Sequence, residues 1–185
     1  YERLRGQRTQ IYDANNKLTE ATYDGLGRLT GVWLPNRSKG GGESANTTYA
    51  YHVDNATQSY VATSTLGVNN ARSTSYQIYD ALLRPVQQQT PTPIGGRLLT
   101  DTRYDSRGLA TATYADTYDS AHAPGGTYDR GEYGGTPTQH QFTFDGAGRT
   151  TADQLLVYGV PKWTVSTSYT GDSTATSAPA GGSAT

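Results

Sequence analysis

The phrase Tyr23-Asp24-Gly25-Leu26-Gly27-Arg28-Leu29-Thr30 constrains this chain more than any other feature, because it recurs. Phe144-Asp145-Gly146-Ala147-Gly148-Arg149-Thr150-Thr151 restates it nearly intact. Tyr104-Asp105-Ser106-Arg107-Gly108-Leu109 keeps the Tyr-Asp start and the glycine at the fifth place. Tyr12-Asp13-Ala14-Asn15-Asn16-Lys17-Leu18 and Tyr79-Asp80-Ala81-Leu82-Leu83-Arg84 are more worn copies. An internal repeat decides architecture before any single residue does. Repeats of this kind are ordinarily scaffolding.

The unit has a physical reading. Asp-x-x-Gly fits a type I turn with Asp at its first position and Gly at its fourth. Followed by a left-handed residue, such a turn makes a three-residue hairpin loop with a bulge. Gly27, Gly108 and Gly148 can take the left-handed conformation without a Cβ clash, and Asn16 is the next best residue there. Leu83 is not, so the Asp80 turn either differs or is strained. In this hairpin Asp24 faces Arg28, Asp145 faces Arg149 and Asp13 faces Lys17, while Tyr23 faces Leu29. Cross-strand pairs of both kinds contribute about 0.2–1 kcal/mol each. Each Asp/Arg couple is thus expected to brace a hairpin and not to act as a catalyst.

Composition sets the surface these hairpins present. Leu, Ile, Val and Phe together supply 26 of 185 residues. That is low enough to suggest disorder when joined to high net charge, but the net charge is only −1. Fifteen tyrosines and two tryptophans compensate. Tyr, Thr and Trp fit a pleated, half-buried surface. A shallow, Tyr-lined sheet is expected instead of a Leu/Ile core. The balance of 15 basic and 16 acidic residues gives no field for nucleic acid or an anionic membrane. No apolar run approaches a bilayer span. The absence of Cys excludes disulfides and thiolate metal sites. With no Met and an abrupt start, the chain reads as a segment of a longer protein.

No stretch holds a 3.6-residue apolar pattern, and Gly or Pro interrupts most windows long enough for a helix. Alternation is clear at Leu98, Thr100, Thr102 and Tyr104, at His140, Phe142 and Phe144, and at Trp163, Val165, Thr167 and Tyr169. Gln154–Val157 and Lys162–Tyr169 flank Tyr158-Gly159-Val160-Pro161 as a second kind of hairpin. Thr47–Tyr51 and Gln58–Thr63 form a further candidate pair. The expected fold is all-β, an antiparallel hairpin meander over residues 1–172. Loop insertions are expected at 36–46, 90–96 and 116–138, with 173–185 as a polar connector or frayed end. Open edges on such an array would be sticky, so its strands are expected to pair with further repeats.

These units resemble the RHS/YD-repeat family, whose motif is Tyr-Asp-x-x-Gly-Arg-Leu with a period of about twenty residues. The resemblance extends to Thr74–Pro85 and Gly96–Gly108 and covers the chain from about Arg8 to Tyr169. It implies a long β-sheet wound into a hollow shell. In polymorphic toxins that shell encloses a C-terminal toxic domain; in related insecticidal complexes it serves as a container, and in teneurins it forms part of an adhesion receptor. Many members are also described as sugar-binding or cell-wall-associated. The resemblance thus implies a secreted or surface bacterial protein whose partners are flanking repeats and an enclosed toxin domain. Family members often carry an Asp-Pro-x-Gly segment used in self-cleavage. No Asp-Pro occurs here, so neither cleavage nor toxicity is assigned.

Sites with chemistry are few. His52, His122 and His140 have no ligand spacing between them. Asp116, Asp119 and Asp129, near Glu132 in one Gly-rich loop, form a weak calcium candidate. There is no Gly-x-Ser-x-Gly and no His-Glu-x-x-His, and neither enzymatic activity nor a cofactor is expected. Exposed aromatics can stack on sugars. Tyr114, Tyr118, Tyr128 and Tyr133, in or beside the long insertion, are the candidates for a carbohydrate-binding alternative.

Overall fold

The computed structural model describes residues 1, 5–131 and 134–179. Its strands follow one another along the chain: β1 (Gln10–Tyr12), β2 (Leu18–Tyr23), β3 (Leu29–Trp33), β4 (Thr47–His52), β5 (Tyr60–Leu66), β6 (Arg72–Tyr79) and β7 (Pro85–Pro91). Then come β8 (Arg97–Tyr104), β9 (Ala110–Asp119), β10 (Gln139–Phe144), β11 (Thr150–Val157), β12 (Val160–Thr170) and β13 (Ser173–Ser177). All belong to one antiparallel sheet whose spatial order is the chain order. One 3-10 turn, Val68–Asn70, is the only helical element among the described residues. The fold is therefore an all-β antiparallel meander.

Three expected boundaries move. Ser173–Ser177, expected as connector or frayed end, pairs along β12 from Thr170↔Ser173 to Ser166↔Ser177. Small polar residues look like linker, but backbone pairing needs no large side chain. Asp116–Asp119 completes β9 and pairs with β8 through Arg97↔Asp119, so the long excursion starts only after it. Thr90 and Pro91 likewise belong to β7.

The sheet is open. Among the described residues β1 pairs only with β2, and β13 only with β12. It is also largely a single layer. The accessible surface is 11459 Å², against roughly 8,600 Å² for a compact monomer of this mass.

The exception to single-layer packing is a row crossing the middle strands: Tyr60, Ile78, Gln87, Asp101, Tyr114, Gln139 and Leu156, each the register partner of the next. From Ile78 to Leu156 these residues are at most 4% exposed. They share one face because side chains alternate along every strand. Residues 125–131, between β9 and β10, fold back across this face and cover it.

Candidate functional site

In a meander, every second connection lies at the same end of the sheet. The Asp24, Asp80, Asp105 and Asp145 turns join β2–β3, β6–β7, β8–β9 and β10–β11, so they line one rim. The Asp13 turn joins β1–β2 at the opposite rim. At Asp24 the Gly27 N–H donates to the Asp24 carbonyl at 3.0 Å, and the Asp24 N–H donates to the Arg28 carbonyl at 2.9 Å. Asp24 Oδ1 accepts the Leu26 and Arg28 N–H groups, each at 2.9 Å. Its Oδ2 takes the Arg28 Nε at 2.7 Å. Asp80 and Asp145 repeat the whole set with Arg84 and Arg149. Asp13 keeps the backbone bonds, but Lys17 forms no ion pair with it among the described residues. At Asp105 the arginine has moved: Arg107, inside the turn, reaches the same Oδ2 at 2.9 Å.

These contacts set the charge state of the rim. The Arg28, Leu109 and Arg149 backbone N–H groups hold Asp24, Asp105 and Asp145 below the usual carboxylate range. At Asp80 burial opposes the shift, but hydrogen bonds from Arg84 overcome it. Leu83 takes the same left-handed position as the glycines, with φ 57° against 84° at Gly27. Its turn has the same hydrogen bonds. Of the two expected alternatives the structure shows strain in an unaltered turn, since a left-handed non-glycine residue costs about 1–2 kcal/mol.

A lateral brace joins each turn to the next hairpin. The Arg28 guanidinium lies over the Tyr51 ring at 4.5 Å, Arg84 over Tyr104 at 4.6 Å and Arg149 over Tyr169 at 4.3 Å. Each tyrosine hydroxyl then donates to the carbonyl after its arginine: Leu29, Pro85 and Thr150, at 2.9, 2.9 and 3.0 Å. In the unit with the displaced arginine, the following aromatic is Phe144, which has no hydroxyl. Arg107 bonds the Asp145 carbonyl there instead, at 2.9 Å. The brace joins residues of separate hairpins and is not part of the Tyr-Asp motif. Its signal is a tyrosine twenty to twenty-three residues after the arginine.

On the covered face, side chains hold the excursion by its backbone at every second residue. Gln89 Oε1 accepts the Gly125 N–H at 2.9 Å, and its Nε2 donates to the Thr127 carbonyl at 2.8 Å. Gln87 donates Nε2 to the Asp129 carbonyl at 2.5 Å and accepts the Asp129 N–H at 3.2 Å. Asp101 accepts the Gly131 N–H at 3.2 Å, and Arg103 donates to the Gly131 carbonyl at 2.9 Å. The buried Arg97 completes the latch, with Nε to Asp119 at 2.8 Å, Nη1 to Gln89 at 2.8 Å and Nη2 to Asp129. Burial pushes the Asp101 carboxyl up, with Gln87 and Gly131 only partly offsetting it.

The cation candidates divide here. Asp119 and Asp129 converge with His122, while Asp116 is exposed and outside the cluster. Arg97 already holds a carboxylate oxygen of each aspartate. Burial works against ionisation of Asp119, yet the Ala121 N–H, Arg97 and His122 bring it down to about 2. A guanidinium in the middle of the cluster repels a cation, so Arg97 and the two aspartates form an ion-pair node.

The aromatic candidates also divide. Tyr114, expected to be exposed, is buried, because strand alternation turns it to the covered face under the Arg103 guanidinium at 4.3 Å. Tyr118 is 44% exposed, with its hydroxyl on the Gly95 carbonyl at 3.0 Å. Tyr133 lies outside the described residues, as does Glu132. Tyr128 lines a cleft of about 720 Å³ beside the Asp80 turn, together with Asn55, Gln58, Leu83, Tyr104 and Arg130. Burial raises the Tyr128 hydroxyl pKa. His140 pairs with Asp153 at 2.7 Å and stacks on Phe142, as strand filler does.

Comparison with protein-family models and with curated proteins finds no match to this chain.

Proposed function

We propose that this chain is a segment of the wall of a larger secreted or surface bacterial protein and has no catalytic role. In this reading the wall is a YD-repeat shell that encloses or carries a C-terminal toxin or effector domain. One observation carries the structural part: an uninterrupted antiparallel meander, mostly one layer deep, with a strand edge left unpaired at each end among the described residues. Such edges template further strands, and flanking repeats are the natural occupants. The braced turns support it, because they tie each hairpin to its neighbour. Enclosure acts sterically, keeping a cargo apart from its targets until the wall opens. The cargo and the location rest on the resemblance of the Tyr-Asp units to the RHS/YD-repeat family.

The test compares this segment alone with the same segment flanked by its neighbouring repeats. The extended form is expected to melt higher, and limited proteolysis of the intact protein is expected to spare a C-terminal domain. A segment that unfolds cooperatively as a monomer, unaffected by its neighbours, would sink the wall reading. A carbohydrate or cell-surface binding module is the second reading, supported by the exposed Tyr118 ring. Glycan-array binding abolished by Tyr118→Ala would promote it.

A further inference from the structure

We propose that the cleft beside the Asp80 turn binds a carboxylate carried on an apolar body. Two sources share that chemistry: a small organic acid, and a peptide segment with an acidic residue next to an apolar one. The cleft lies between the Asp80 turn, the β4–β5 connection and residues 128–130. Its volume of about 720 Å³ lies within the usual range for ligand sites.

The first observation is the strained residue. Leu83 alone among the Tyr-Asp turns places a large apolar side chain in the left-handed position. Packing does not compensate for this, since Leu83 remains 59% exposed. The side chain instead lines the cleft, with Val53 and Val86 as further apolar walls. Uncompensated strain of this kind concentrates where a ligand is held.

The second observation is charge. Arg84 in the cleft is neutralised by Asp80 and held over Tyr104. Arg130 has no ion-pair partner among the described residues. Arg103, also on the cleft wall, lies over the Tyr114 ring and donates through Nη2 to the Gly131 carbonyl, while its buried Nε has no hydrogen-bond partner. Asp54 is the opposing charge, and its Oδ1 already accepts the Ala56 N–H at 2.6 Å. Two guanidinium groups and a phenol beside an apolar wall match an anionic head on an apolar body.

The test titrates the full chain with 4-phenylbutyrate, its amide, acetate, and the peptide acetyl-Gly-Leu-Asp-Gly-amide with its Asn counterpart. Calorimetry is expected to show each acid binding at least fivefold more tightly than its amide, and acetate not binding. Arg130→Gln should erase the difference between acid and amide. Leu83→Gly should weaken both acids at least fivefold while raising the melting midpoint, which separates ligand contact from fold. Tighter binding of phenylbutyrate identifies a small acid as the ligand, and tighter binding of the peptide identifies a chain segment. No binding at millimolar concentration, equal binding of acid and amide, or unchanged affinity in Leu83→Gly would overturn the proposal.

Discussion

The aspartate rim and the covered face hold the molecule together by opposite means. On the rim each turn is closed by residues within five positions of one another, and four turns use one pattern. On the face, Gln87, Gln89, Arg97 and Asp101 grip a segment 30 to 42 residues away, and that pattern occurs once among the described residues. A local contact costs little chain entropy to form and can be copied. A distant contact must offset loop closure and is built around one set of partners. The rim should therefore tolerate single changes and the latch should not.

Arg97→Met is expected to have the largest effect. It leaves Asp119 and Asp129 without their shared cation and Gln89 Oε1 with the Gly125 N–H as its remaining donor, so stability should fall by about 3 kcal/mol. The same variant should expose residues 120–131 to protease before the strands are cut. Urea titration with timed proteolysis measures both, and an unchanged cleavage pattern would show that Arg97 is not the latch. Gly126→Val attacks the same interface sterically. A Cβ at Gly126 would overlap the Tyr60 ring, and overpacking of this sort costs about 1–3 kcal/mol. The melting midpoint should drop by several degrees.

Acid distinguishes the regions by sign. Asp24, Asp80, Asp105, Asp145 and Asp119 have folded pKa values below the unfolded value. As pH falls the unfolded chain takes up their protons first. The stability they supply is present above about pH 4 and is lost as pH drops through the folded values, reaching about 2 at Asp119. Asp101 runs the other way. Its folded pKa is raised, so the native protein takes that proton first and its contribution grows in acid. Melting midpoints from pH 6 to 2 should decline overall, because more carboxyls are lowered than raised. A flat profile would show that the rim contacts do not differ between folded and unfolded chains.

What the sequence disclosed follows the same division. The turn at Asp24 is legible because Asp, Gly and Arg act on their own neighbours. The alternation of β8 and β10 is legible for the same reason. The pairing of Tyr104 with Arg84 was not, since it joins two hairpins, although its spacing recurs. Gln87 and Gln89 carry no sign that they would be buried, because a glutamine's burial depends on the distant backbone it meets. Tyr114 lies close to a loop in sequence, which suggests exposure, but its parity in β9 turns it to the covered face. Ser173–Ser177 was missed because small polar residues pair through the backbone alone.

The smallest predicted effect tests the rim from within. Leu83 and Gly108 occupy equivalent left-handed positions, with φ 57° and 87°. A Cβ at Gly108 would meet nothing closer than the Arg84 side chain at 3.7 Å, so Gly108→Ala reports backbone strain without a clash. It should destabilise by about 1–2 kcal/mol. Leu83→Gly should stabilise by less, about 0.5–1 kcal/mol, because glycine also frees the unfolded chain. The expected rise in melting midpoint is about 1–4 °C. Opposite signs for the two substitutions would establish that the turns are equivalent and that Leu83 is held against a local cost. The same sign would mean that Leu83 makes contacts in the folded chain that outweigh its strain, and the rim would then cease to be a set of interchangeable turns.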